Sequence, residues 1–472
     1  MSKKSAFVLS GGVSLGTYEA GVMTAVLQAV RAGILDIDIV GGSSAGALTG
    51  FAFALVLKRG LNPYEMYNLW VEKADIRRMT LPGNVSILTT EKLESDLDSI
   101  LDSDRICPYH YLSSECNRHK NPSFCSMRRC RGVQLKNIKL TVELTNLEGY
   151  VTPMQVSSRQ IYNAKIHHDS ITVDFSKWQK YNTEAIKSFL FASAAIPVVF
   201  KPVNIKRSLS ELTPPASSNY NEDEKSFNYI DGGITDNLPV KSVLKACRSI
   251  ESLYIVIPDP FDALSLINKT NRRGGFVPVE DNIAVLMNAN AAANYQTVYT
   301  DIKRAVEINR LILAVEDLKN YVQKNVRDPK TAEEIITRAE SLGDIRNKHI
   351  IEINVLSPQY FKDGLAGDIL AHAGGFLDRR LRHYDFCIGY YNAVKQFSLE
   401  KSIPLLFEKP ADDLSGITVG NVRDKKNLIK SIIKLAPVLF NKYLKNPPGR
   451  ILRIVYMLIA TITGIILSRR LK

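Results

Sequence analysis

Gly42-Ser43-Ser44-Ala45-Gly46 sets a hydroxyl among small residues, and the pentapeptide stands between a strand-like stretch at 37–40 and an apolar run at 47–57. Between a buried strand and a helix, such small residues let the backbone turn tightly enough to present the central hydroxyl. The helix that starts beside it adds positive potential where negative charge would develop. Ser44 is therefore a candidate nucleophile for acyl transfer; the competing reading is a plain Gly/Ser turn capping a helix. Ser10-Gly11-Gly12-Val13-Ser14-Leu15-Gly16 follows the apolar residues 6–9 and could aim backbone N–H groups at an anion. A dinucleotide fingerprint needs glycine where Val13 stands, and a phosphate-binding P-loop needs lysine where Thr17 stands. An oxyanion hole needs only donors that approach closely, and Gly11, Gly12, Val13 and Gly16 suit that role better.

A hydroxyl nucleophile needs a base. Tyr229-Ile230-Asp231-Gly232-Gly233 offers a carboxylate with room around it, although Asp-Gly-Gly alone is often a turn. Seven histidines are the other source: His110, His119, His167, His168, His349, His372 and His383. Ser44, Asp231 and His372 fall in the chain order of α/β-hydrolases, but that fold places several strands before its elbow and only two fit before residue 44. Cys107, His110, Cys116, His119, Cys125 and Cys130 could bind zinc or form a disulfide, yet their spacing misses the C-x-x-C knuckle. The segment 104–133 reads instead as a surface insertion rich in Arg and Lys.

These residues must be carried by alternating elements. Strands are expected at 6–9 and 37–40, each leading into a helix, at 17–32 and 47–57. Further helices are expected at 63–74, 91–101, 240–246, 282–323 and 331–342, and strands at 137–151, 202–206, 253–257 and 349–356. Residues 208–224 read as a surface loop, and there is no internal repeat. The pattern is that of an α/β core. At 45% hydrophobic and 23% charged, the 472-residue chain is not globally disordered, and its length suggests more than one structural unit.

The loop at 10–16, the elbow at 42–46 and Asp231-Gly232-Gly233, in that order, resemble the patatin-like phospholipases. The stretches from Phe191 to Pro197 and from Phe200 to Pro202 resemble the run before the aspartate in that family. The likeness covers about residues 5–260, with a weaker echo from Gly374 to Asp385. It implies a three-layer α/β/α domain with a Ser–Asp dyad and neither a catalytic histidine nor an obligatory metal or cofactor. Ser44 would match the nucleophile and Asp231 the base. Gly11, Gly12, Val13 and Gly16 would match the oxyanion loop, with N–H groups at positions 12 to 14 as donors. Gly42, Gly46, Gly232 and Gly233 would be the motif glycines. Many members carry glycine where Val13 stands and a basic residue where Leu15 stands.

Lys and Arg total 61 against 48 Asp and Glu, a net charge of +13 that suits nucleic acid or an anionic lipid surface, or simply a well-solvated surface with no specific partner. Residues 424–447 interleave lysines with apolar residues in a basic amphipathic pattern suited to an anionic lipid surface rather than nucleic acid. Residues 451–467 are strongly apolar and at about 1.5 Å per residue cover about 25 Å, slightly less than a bilayer core of about 30 Å. They are a candidate hydrophobic anchor; a buried helix is the alternative. Lys3 and Lys4 precede an apolar run too short for a signal peptide, and the thinly spread cysteines suit a reducing compartment. The expected organisation is a catalytic domain at 5–260, a helical part at 261–420 completing or flanking it, then the basic and apolar segments. The expected protein is a membrane-associated (lyso)phospholipid ester hydrolase facing the cytoplasm. The alternatives are an inactive membrane-attached scaffold on the same fold and an esterase that uses His372.

Overall fold

The computed structural model describes residues 3–79, 90–101, 106–110, 129–131, 136–157, 160–177, 183–197, 199–217, 223–258, 282–343, 345, 348–358, 365–367, 372, 374–376 and 378–410. The first strand, β1 (Lys4–Leu9), leads through the glycine loop into α1 (Gly16–Arg31). A second such unit follows, β2 (Asp36–Gly42) and α2 (Ala45–Arg59). The C-terminal halves of both strands are buried on both faces, and there they carry only apolar residues and glycine. Phe7 and Leu9 pack with α1 and α2 on one face, whereas Ala6, Val8 and Ile39 pack with Leu238, Val243, Ile302 and Ala305 on the other. The molecule is thus a mixed α/β protein with a central sheet between helical layers.

The predicted helix at 63–74 is a short helix, Tyr64–Tyr67, that continues as the π-helical stretch Asn68–Lys73. After α3 (Glu91–Leu101), a small parallel ribbon of β3 (Ile106–His110) and β4 (Arg129–Arg131) sets the backbone of Cys107 opposite that of Cys130. Cys116, His119 and Cys125 lie outside the described residues.

The strand expected at 137–151 is much longer, β5 (Lys139–Ser157), and it returns antiparallel as β6 (Gln160–Asp174), which the sequence pattern did not suggest. Then come α4 (Thr183–Ser193), β7 (Val203–Ser208), β8 (Glu224–Asp231), α5 (Val240–Ala246) and β9 (Ser252–Val256). The later part holds α6 (Asn282–Asn325), α7 (Pro329–Leu342), β10 (Glu352–Leu356) and α8 (Arg379–Gln396). The sheet order is β10-β9-β1-β2-β5-β8-β7, with β6 paired to β5. The strands from β10 to β5 are parallel, and β8 and β7 join antiparallel.

Residues beyond 260 enter this core directly. Strand β10 extends the sheet beside β9, and α8 lies across α1 so closely that the two backbones touch. A Cβ on Gly389 would stand 1.9 Å from the Tyr18 carbonyl oxygen, and one on Gly21 would stand 2.0 Å from that of Phe386. Helix α8 also buries Arg382, which donates to the carbonyls of Val71 and Gly375 at 2.8 Å each and pairs with Asp75. Among the described residues no helix is long and apolar enough to cross a membrane; segments 424–447 and 451–467 lie outside them.

Candidate active site

Strand pairing explains why Ser44 and Asp231 meet. Over Lys139 to Val142, β5 is paired to β2 and to β6 at once, so these occupy opposite edges of β5. Over Leu144 and Thr145 it is paired to β6 and β8, so β8 takes the same edge as β2, just beyond its end. Since β2 runs parallel to β5 and β8 antiparallel, the two point their C-terminal ends at each other. Gly42 lies opposite Val142, Asp231 lies opposite Leu144, and the turn bearing Ser44 fills the gap.

Ser44 holds φ +53° and ψ −121°, a conformation that L-residues adopt at a cost of about 1–3 kcal/mol. Close contacts impose the turn. A Cβ on Gly42 would fall 2.3 Å from the carbonyl of Gly46, and one on Gly46 would fall 2.5 Å from the Leu9 carbonyl oxygen. The buried Ser44 Oγ donates to Asp231 Oδ2 at 2.6 Å, and Gly233 N–H donates to Asp231 Oδ1 at 2.8 Å. Burial pushes the Asp231 carboxyl up to about 6, opposed by those two hydrogen bonds. Thr145 Oγ1 donates to the Asp231 carbonyl at 2.8 Å, and the Asp231 N–H donates to the Ala195 carbonyl at 3.0 Å. Gly232 is held against β5: a Cβ there would stand 2.2 Å from the Glu143 carbonyl oxygen.

The glycine loop lies beside this pair. Gly11 N–H is taken by Asn237, 3.0 Å from its Oδ1 and 3.2 Å from its carbonyl, and a Cβ on Gly11 would stand 3.2 Å from that of Ser44. Ser14 N–H donates to the His372 carbonyl at 3.0 Å, so of the donors expected at 12 to 14 this one is committed elsewhere. Gly12 and Val13 open a 3-10 turn, where N–H groups lack internal partners, and among the described residues neither N–H is hydrogen-bonded. Val13 sits at φ +53°, a left-handed conformation that a β-branched residue rarely takes. Gly16 packs under Trp70, whose ring leaves no space for a side chain there. The echo near Gly374 buttresses the same loop, as Gly375 N–H donates to Ser14 Oγ at 3.0 Å.

A cavity of about 120 Å³ opens at Ser44, with mostly apolar walls that include Val13, Leu48, Trp70, Phe191 and Phe376. Asp96, also in its lining, is ion-paired to Lys73 at 3.2 Å and to Arg78 at 2.5 Å. Glu19 of α1 is wholly buried near Ser10, and burial raises its carboxyl well above the usual range. His372 meets the site through its carbonyl, which accepts from Ser14 N–H and Oγ. Among the described residues no histidine hydrogen-bonds Ser44 Oγ or the Asp231 carboxylate.

Sequence reasoning missed Asn237, Thr145 and Ser193, whose Oγ accepts from Ser44 N–H at 3.0 Å. They belong to no spaced motif, and only the fold brings them to the site. Outside the pocket, Glu143, His168 and Asp236 form a group that could hold a metal ion.

A family model described as patatin-like phospholipase matches residues 7–244, just over half of the 472 residues. No curated protein matches. Among solved structures, the crystal structure of VipD from Legionella pneumophila aligns at 13% identity over 100% of this chain and 85% of its own. Its TM-score is 0.25.

Proposed function

Because the chain belongs to the patatin-like phospholipase family, and so to the lipid acyl hydrolases, we propose that it cleaves carboxylic esters of phospholipids or lysophospholipids through an acyl-enzyme on Ser44. The observation that carries this reading is the 2.6 Å hydrogen bond to a buried Asp231 carboxylate from the Oγ of Ser44, which lines an apolar cavity. Asp231 takes the hydroxyl proton as Oγ attacks the ester carbonyl, and the N–H groups of Gly12 and Val13 receive the oxyanion. The carbonyl–oxygen bond then breaks, and the leaving alcohol takes the proton from Asp231. Water, deprotonated by the same carboxylate, clears the acyl group and regenerates Ser44. No step calls for imidazole or metal.

The apolar segment 451–467 and the basic segment 424–447 would hold the enzyme on the cytoplasmic side of an anionic membrane, where its substrate lies. A second reading, a lipid-binding protein with a silent site, draws on Val13, a branched side chain at a left-handed position in the cavity wall. Labelling with a fluorophosphonate and mapping the adduct by mass spectrometry separates the two. A reactive site carries the phosphonyl group on Ser44; an unlabelled Ser44 in folded protein would leave only the binding reading.

A further inference from the structure

We propose that Glu143, His168 and Asp236 form a divalent-cation site beside the end of β8, the strand that carries Asp231. The three come from separate elements, β5, β6 and the loop after β8, and their donor atoms all lie within 4.8 Å of one another. Donors around a first-row cation sit about 2.0–2.2 Å from it, so small side-chain movements would bring these three into its reach.

The present contacts leave the group incompletely paired. His168 Nε2 lies 2.6 Å from Glu143 Oε2 but 3.8 Å from Asp236 Oδ2, so one imidazole nitrogen serves one of two acids. Glu143 is fully buried, and its other oxygen, Oε1, accepts no hydrogen bond among the described residues. A buried carboxylate oxygen without a donor costs about 1–3 kcal/mol or more, and a cation removes that cost. Asp236 is already oriented, since Leu238 N–H donates to its Oδ1 at 3.1 Å and leaves Oδ2 toward the histidine. The His168 and Asp236 side chains keep 27% and 15% exposure, an open side by which an ion enters and water completes its coordination.

One imidazole with two carboxylates is a mixed nitrogen and oxygen set that suits Zn²⁺ or Mn²⁺. Asp236 precedes Asn237, whose side chain holds Gly11, so an ion here would fix the loop shared by the base and the glycine turn. Its role would be structural, outside the reaction itself.

Mn²⁺ is the better probe, because thiolates such as those near Cys107 compete for zinc. Full-length protein stripped with EDTA is titrated with Mn²⁺ while the EPR signal of the free ion is followed. One ion should bind per chain and raise Tm by a few degrees at about 100-fold excess over Kd. Asp236→Asn and His168→Gln, folded by circular dichroism, should lose both effects. Anomalous scattering from Mn²⁺-soaked crystals should place the ion among the three side chains, whether or not the variants fold. A Tm and EPR signal unmoved in the wild type, undiminished binding in both variants, or an anomalous peak elsewhere overturns the site and leaves a plain ion pair.

Discussion

At Ser44 and Asp231 two costs are concentrated in one hydrogen bond: a strained backbone on the serine and a buried charge on the aspartate. Ser44→Ala removes only the attacking oxygen and should lower ester hydrolysis by at least about 10⁴-fold while the protein stays folded. Activity near wild type would end the assignment of Ser44 as nucleophile. Asp231 has a sharper signature. Its carboxyl, pushed up to about 6, must be ionised to act, so kcat/KM should rise with pH through a limb near 6. A raised carboxyl pKa means that the folded state binds the proton more tightly, so this group's contribution to stability is present at low pH. It is lost as pH rises from about 4 to 6. Above that window the buried charge costs about 3 kcal/mol, by the conversion of 1.36 kcal/mol per pKa step. Asp231→Asn should therefore abolish the limb, lower turnover by about 10²–10⁴-fold, and raise Tm clearly more at pH 8 than at pH 4.5. His372→Ala should spare the pH 6 limb and most of the turnover, since that residue meets the site through its backbone. Val13→Gly, which frees a left-handed position of its side chain, should keep or raise Tm.

The elements that hold these residues were legible to different degrees. Gly42, Gly46 and the apolar runs around them can be read from sequence because the constraint is local: a tight turn needs small residues within a few positions. The meeting of Ser44 with Asp231 cannot, because it depends on β2 and β8 sharing an edge of β5, a strand that pairs across its whole length with β6. Strand β6 itself is hidden by its many polar residues, His167 and His168 among them. Helix α8 escaped because it is buried on several sides, by Arg382 and Asp385 as well as by apolar residues, so no amphipathic stripe marks it. Its docking gives an element-scale prediction with two opposed terms. Gly389→Ala gains up to about 1 kcal/mol of helix propensity. The added Cβ, however, would lie 1.9 Å from the Tyr18 carbonyl, and separating two packed backbones costs about 1–3 kcal/mol. The steric term should win: Tm falls, and activity falls with it, because α8 follows directly on the Gly374–Phe376 turn that supports Ser14. A Tm at or above wild type would mean that the helices do not pack at Gly389.

For the whole molecule, the net charge of +13 and the apolar run at 451–467 imply two separable ways of reaching a membrane, and each has its own signature. Burial of 451–467 would gain about 25 cal/mol per Å² whatever the ionic strength, so attachment through it should survive high salt and alkaline carbonate. The lysines of 424–447 would add about 1 kcal/mol per surface-adjacent charge, only on anionic lipid, and that attraction should weaken as salt rises. A chain ended at Gly449 should therefore bind anionic vesicles in low salt, release in high salt, ignore neutral vesicles, and still hydrolyse dispersed substrate. Retained hydrolysis is expected because Gly12, Val13, Ser44 and Asp231 all lie in the first 231 residues, on elements of the central sheet or the turns that leave it, and not in 424–467. Sedimentation with vesicles of each composition, in low and high salt, reads the two terms apart. If the full chain also washes off with salt alone, 451–467 is not an anchor and its apolar residues are covered by protein instead.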